Sequence, residues 1–196
     1  FENKLPKIKT YVDSPLSERA TDIMEAYPEC YNDRMKAFMK KDPDPFGFKG
    51  LTFIQSKSES QALNERHEPC IIISASGMAE AGRVKHHISN NIENSHTTIL
   101  LVGYCEPNSL GGRLKKKPEE VMIFGIPHQV NAEIGEMRSM SAHGDYEDMC
   151  QWLACQDENL VDKLFLVHGE PDVQEAFKAK LMKKGFKDVI LPKMHE

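Results

Sequence analysis

Two histidines stand out as residues that could do chemistry. His143 lies in Ser141-Ala142-His143-Gly144-Asp145-Tyr146, and His168 in Val167-His168-Gly169-Glu170. Each neighbours a glycine, the residue that lets a chain turn tightly. An imidazole binds a metal ion or moves a proton near neutral pH. His168 follows Leu164-Phe165-Leu166-Val167, an apolar run that reads as a buried parallel strand. Gly169, Glu170 and Pro171 then open a helix, with proline suited to its first position. The carboxyl end of such a strand is where α/β folds hold ligands. On spacing alone two hydrogen-bonded structural histidines are the plainer reading, and both readings stand at this point.

Two other stretches could hold an anion. Pro69-Cys70-Ile71-Ile72-Ile73-Ser74 gives the strongest strand signal and implies burial on both faces. It leads through Ala75-Ser76-Gly77-Met78 to a helix with Val84, Ile88 and Ile92 on one face. Backbone N–H groups at such a turn point outward, and small residues let a phosphate approach them. Arg83 could add charge; packing is the plainer use of such a turn. Further on, Thr97 to Val102 predicts a strand, then come Gly103-Tyr104 and Leu110-Gly111-Gly112-Arg113. The glycines permit close backbone approach or positive φ, and an arginine can grip a phosphate with two parallel hydrogen bonds. Lys115-Lys116-Lys117 adds positive potential beside it.

Together, and in this order, these four motifs resemble the β-CASP group of metallo-β-lactamase-fold nucleases. That group includes the RNA-cleaving subunit of the polyadenylation machinery, ribonuclease J and bacterial relatives. The resemblance spans roughly residues 8 to 192. At Gly144-Asp145 the chain departs slightly from the eukaryotic relatives. Strands alternate with helices throughout, which predicts an α/β fold with a largely parallel sheet flanked by helices; the resemblance implies that residues 1–138 form most of a β-CASP domain. Residues 139–196 would then be the C-terminal return segment of a metallo-β-lactamase αββα domain.

The function so implied is zinc-dependent hydrolysis of RNA phosphodiesters, with exonuclease against endonuclease action left open. Two zinc ions in the whole enzyme would activate water. By match of motifs, His168 would be a zinc ligand, and His143 would assist the departing oxygen. Ser76, Gly77, Gly111, Gly112 and Arg113 would hold the backbone of single-stranded RNA, and Asp145 would orient local backbone. The family's main zinc motif, His-x-His-x-Asp-His, does not occur in this sequence, and the family places it upstream. With Phe1-Glu2-Asn3-Lys4 at the start, the expectation is the C-terminal part of a longer enzyme, inactive alone. Two alternatives stay open: a β-CASP module that binds nucleic acid without cleaving it, and a metallo-hydrolase of small molecules.

Other polar residues read more plainly. Asp13, at the end of a strand over Ile8 to Val12, reads as a carboxylate at a helix N-terminus. His86 and His87 point about 100° apart on a helix, so a solvated face is expected rather than a metal pair.

Composition narrows the rest. Apolar residues make up 40% and charged residues 28%, which favours a packed core over disorder. The net charge of −5 means that any RNA contact comes from local patches. No apolar run reaches membrane-spanning length, and no signal-peptide pattern opens the chain. Cysteines 30, 70, 105, 150 and 155 form no C-x-x-C pair and are odd in number, which points to a reducing cytoplasm. The oligomeric state is open, a homo-oligomer included.

The positioning elements follow from pattern. Ser14 and Pro15 open an amphipathic helix with Leu16, Ala20, Ile23, Met24 and Tyr27. Arg34 to Met39 and Ser56 to Asn64 predict short helices, and Leu51 to Gln55 a strand. Val121 to Phe124 and Gln129 to Met137 predict strands, with His128 in a loop between them. Asp145 caps a helix carrying Met149, Trp152 and Leu153. A final helix ends before Gly185, and Val189 to Leu191 closes the chain as a strand.

Overall fold

A computed structural model describes residues 7–137, 139–140 and 143–193. The chain divides near residue 141 into two compact units. The first runs β1 (Lys9–Asp13), α1 (Pro15–Ala26), α2 (Asp33–Met39), β2 (Leu51–Phe53), α3 (Lys57–Leu63) and β3 (Cys70–Ser74). It continues with α4 (Arg83–Asn91), β4 (Thr98–Leu101), α5 (Leu110–Lys115), β5 (Glu120–Ile123), β6 (Ile126–Gln129) and β7 (Glu133–Glu136). β1 is central, pairing in parallel with β2 on one side and β3 on the other. β4 pairs in parallel with β7. The architecture is α/β with largely parallel pairing, as the alternating pattern predicts.

Local chemistry sets the element ends. Ser14 accepts from Ser17 N–H and Pro15 opens α1; Ser56 and Glu59 form a reciprocal capping box at α3. The main core is where two periods meet: Ile88 of α4 and Ile92, which caps its end, pack with Ile99, Leu101, Leu110, Leu114, Val121, Ile123 and Ile134.

Burial is one-sided where the sequence predicted two-sided strands. Ile72 packs with Tyr11, Ile54 and Leu63, whereas its neighbours Ile71 and Ile73 are 46% and 53% exposed. An apolar run does not reveal which faces are covered; alternation of side chains in the strand decides that. Likewise Leu100 and Leu16 are exposed, and no residue of α1 is buried. A hairpin also replaces the predicted loop around His128. β5 and β6 pair antiparallel through Phe124 and Gly125, whose φ values of 54° and 78° suit a tight primed turn. His128 therefore sits on β6, with Nδ1 2.9 Å from Glu93 Oε1.

The second unit contains α6 (Tyr146–Leu153), β8 (Leu164–Phe165), α7 (Pro171–Lys183) and β9 (Val189–Ile190), with β8 and β9 parallel. Its core joins Cys150, Leu181, Phe186 and Val189 to Tyr146, Leu153 and Phe177. Here too the predicted burial of β8 is halved: Phe165 and Val167 are exposed, as is Trp152 on α6. Gly185 follows α7 with φ 112°, the left-handed conformation a helix end favours. None of the five cysteines is paired. No helix among the described residues is long and apolar enough to cross a membrane.

Candidate nucleic-acid interface

Between β3 and α4 the chain makes a loop over residues 75–82, exposed except at Ala79, rather than running from the turn straight into the helix. Ser76 N–H donates to Ala81 O at 3.5 Å, and Ala79 N–H to Ser76 O at 3.0 Å. The N–H groups of Gly77 and Met78 donate to no atom among the described residues. A Cβ built on Gly77 would meet nothing within 4 Å. This turn thus offers two adjacent unused donors beside open space, the geometry that backbone anion sites share.

The second predicted stretch folds differently. Gly111 and Gly112 lie inside α5, which Ser109 caps by accepting from Gly112 N–H. Gly111 N–H donates to Met78 O at 2.9 Å. Both glycine amides are therefore satisfied within the chain. The glycines' small size serves close packing: a Cβ on Gly112 would lie 2.0 Å from Glu106 O, and one on Gly111 2.8 Å from Met78 O.

These contacts clasp the two stretches together. Glu80 accepts from Leu110 N–H at 2.5 Å and from Lys85 Nζ at 3.0 Å, and Cys105 Sγ lies 3.4 Å from Gly77 O. The Lys85 and Leu110 hydrogen bonds outweigh desolvation and hold the Glu80 carboxyl below its ordinary value. Arg113 joins the same surface. Its Nη2 is 3.9 Å from Glu80 Oε2, its Nη1 donates to Met122 O at 3.4 Å, and its Nε is buried without a partner among the described residues. Lys115 Nζ reaches Gly103 O at 2.9 Å and Glu136 at 3.0 Å, tethering the chain before the exposed ring of Tyr104. Nothing in the sequence pattern singles out Glu80 for this clasp.

Arg83 does not add charge to that surface. It reaches behind the loop to Asp13, and His87 does the same from one turn further along α4. The expected solvated face holds for His86, which is exposed and stacks on Phe124 at 4.8 Å. It fails for His87, which is buried. Asp13 is buried as well, and Ser14, its neighbour, performs the capping.

In the second unit His168 is exposed and follows β8 with φ 68°; Gly169 has φ 110°. A left-handed non-glycine residue is uncommon and points to a constrained position. Gln174 supplies the constraint, donating from one amide nitrogen to Leu166 O at 3.2 Å and His168 O at 3.1 Å. His143 is exposed just ahead of α6. Asp145 caps that helix by accepting from Glu147 and Asp148 N–H, as predicted. Ser141 and Ala142 lie outside the described residues. Among the described residues, no three His, Cys, Asp or Glu side chains converge to hold a metal ion.

Comparison with known proteins bears on these placements. Residues 1–114 match the Beta-Casp domain family. The chain belongs to the Beta-Casp family. Residues 127–192 match a second family, described as the Zn-dependent metallo-hydrolase RNA specificity domain. Among similar proteins, ribonuclease TTHA0252 of Thermus thermophilus is 25% identical over 170 residues, 87% of this Beta-Casp chain and 38% of that protein. Transcription termination factor FttA of Methanosarcina mazei is 25% identical over 172 residues, covering 85% and 27%. An RNase J-like protein of Methanocaldococcus jannaschii is 28% identical over 167 residues, covering 85% and 37%. The Beta-Casp chain thus spans between 27% and 38% of the length of these relatives.

Proposed function

We propose that this chain is part of a zinc-dependent nuclease that hydrolyses RNA phosphodiesters in a reducing cytoplasm. One observation carries the reading. The unused Gly77 and Met78 amides are clasped to the helix that bears Arg113, so neutral donors and a cation share one surface. Backbone N–H groups and arginines are both among the groups that hold phosphates. Gly111 and Gly112 then act by letting α5 approach the loop, not as direct contacts. The names of the relatives, two of them ribonucleases, favour RNA as the polymer held.

His168 would supply one zinc ligand: it is exposed, and Gln174 fixes the backbone that presents it. Structural and catalytic zinc sites use three or four protein ligands, so the others would come from elsewhere in the whole protein. Bound zinc would supply an activated water. His143 would donate a proton to the departing oxygen, while Arg113 and the Gly77 turn hold the chain of phosphates.

Single substitutions in the full-length protein separate the two histidines. His168→Ala lowers zinc per protein, because losing an imidazole leaves the ion under-coordinated. His143→Ala keeps zinc yet slows single-turnover RNA cleavage by roughly 10²–10⁴-fold, the usual worth of a positioned acid. Equal zinc loss in both variants would refute this division of labour. Parallel losses of melting temperature and activity would make both histidines structural.

A further inference from the structure

We infer that Asp13, Arg83 and His87 are positioning residues for the Ser76–Gly77 turn: a buried polar cluster that holds both ends of the loop presenting it. The inference rests on the RNA reading above. Asp13 ends the central strand β1, and its side chain is fully buried. Its main-chain oxygen accepts from Ser74 Oγ at 3.0 Å, which fixes the start of the loop. Its carboxylate accepts from Arg83 Nη1 at 2.5 Å, which fixes the end of the loop. One residue therefore pins residues 74 and 83, with the loop between them.

The cluster also ties in α3 and the segment after β2. Arg83 also donates to Ile54 O at 3.2 Å and Gln55 O at 2.9 Å, just beyond β2. Ser60 of α3 donates to the other carboxylate oxygen at 2.5 Å. His87 Nε2 lies 2.6 Å from that same oxygen, and its Nδ1 lies 2.8 Å from Asn64 Oδ1. Asn91 in turn donates to Asn64 Oδ1 at 3.2 Å. Residues 83, 87 and 91 are spaced four apart, so they form one polar stripe along the buried face of α4.

Such a stripe is a poor way to gain stability. Replacing a buried ion pair by apolar side chains of similar volume is often neutral or stabilising. What directed hydrogen bonds supply is a fixed orientation, here of α4 against three strand ends. Within the loop, Val84 N–H closes onto Ala75 O at 3.3 Å, and Gly82 adopts φ 79° where a Cβ would meet Ala75 O at 2.9 Å. The turn carrying the Gly77 and Met78 amides thus has its height and tilt set from below. Arg83 engages both terminal nitrogens in this scaffold, so its expected effect on RNA is through the loop.

The test measures binding of a labelled single-stranded RNA to the full-length protein, with zinc chelated, across a salt series. Arg83→Gln and His87→Leu should each weaken binding about tenfold, the loss of roughly one hydrogen bond. The dependence on salt should keep its slope, because no phosphate loses a cation. His87→Gln, which keeps one N–H donor, should recover most of the affinity. A slope lowered by about one in Arg83→Gln would make Arg83 a direct phosphate contact and overturn the inference. So would a fall in melting temperature with unchanged affinity of the folded protein. Arg113→Ala is the control. If it weakens binding while the cluster variants do not, the positioning role alone falls. If it too is without effect, the RNA reading falls and the inference with it.

Discussion

Gly77 and Gly112 both belong to the first unit, one exposed and one buried, and they teach opposite things about glycine. Around Gly77 there is open space, and its amide is unused. Around Gly112 the chain itself fills the space: a Cβ would lie 2.0 Å from Glu106 O, and Ser109 Oγ accepts the amide at 3.1 Å. One glycine leaves open space that nothing in the chain fills; the other lets two pieces of backbone meet. A motif read from sequence treats them alike, because the letter G does not say which neighbour approaches.

The largest effect should come from below the open turn. Asp13→Ala leaves Arg83 and His87 facing each other without their shared acceptor. Removing one partner of a buried ion pair costs roughly 3–5 kcal/mol, and the partial exposure of Arg83 places this case at the low end. Burial alone would raise the Asp13 carboxyl. Hydrogen bonds from Ser60, His87 and Arg83, with the charge of Arg83, outweigh it and leave the carboxyl below the ordinary carboxylate range. A depressed carboxyl contributes fully above its unfolded value, and that contribution is lost as pH falls through the folded one. The stability gap between the natural protein and Asp13→Asn, measured by urea titration, should therefore be full at neutral pH. It should shrink in acid below the ordinary carboxylate range. A gap that is constant with pH would remove Asp13 from the ionic cluster.

Next comes the crowded glycine. Gly112→Ala should destabilise by about 1–3 kcal/mol or more, since backbone rather than a flexible side chain must move. Gly111→Ala should follow, with Cys105 Sγ at 2.7 Å and Met78 O at 2.8 Å. Thermal melts of both variants check this. Full stability in Gly112→Ala would mean that α5 is not held as close to Glu106 as described, and the contrast with Gly77 would collapse.

How far the sequence revealed these differences depends on which interactions are local. Caps were legible because Ser14, Asp145 and Gly185 act on amides or carbonyls within a few residues. Parallel pairing was legible from alternating strands and helices, and the candidate anion turn from its small residues. The clasp was not, since Glu80 meets Leu110 across thirty positions and no periodicity connects them. His87 was misread for the same reason: a histidine on a helix looks solvated until Asp13 and Asn64 are brought beside it. One-sided burial at Ile71, Ile73, Phe165 and Val167 depends on what lies against each sheet, which an apolar run cannot record. The β5–β6 hairpin hid behind Pro127, whose ring lowers a strand signal.

The smallest expected effect on stability is the most telling one. Gly77 is not among the residues with positive φ, and its Cβ position is empty, so alanine fits without strain. Alanine also restricts the unfolded chain more than glycine does, which stabilises by about 0.4–1 kcal/mol where the native conformation is compatible. Gly77→Ala should therefore raise the melting temperature slightly, opposite in sign to Gly112→Ala. If a phosphate approaches the Gly77 and Met78 amides, the added methyl stands in its path. RNA affinity of the full-length protein should then fall although the fold has gained. A protein that is both more stable and weaker in binding cannot be explained by damage to the scaffold. Unchanged affinity in a stabilised Gly77→Ala variant would show that the open turn is merely open, with Arg113 and the lysines after it left as the contacts to test.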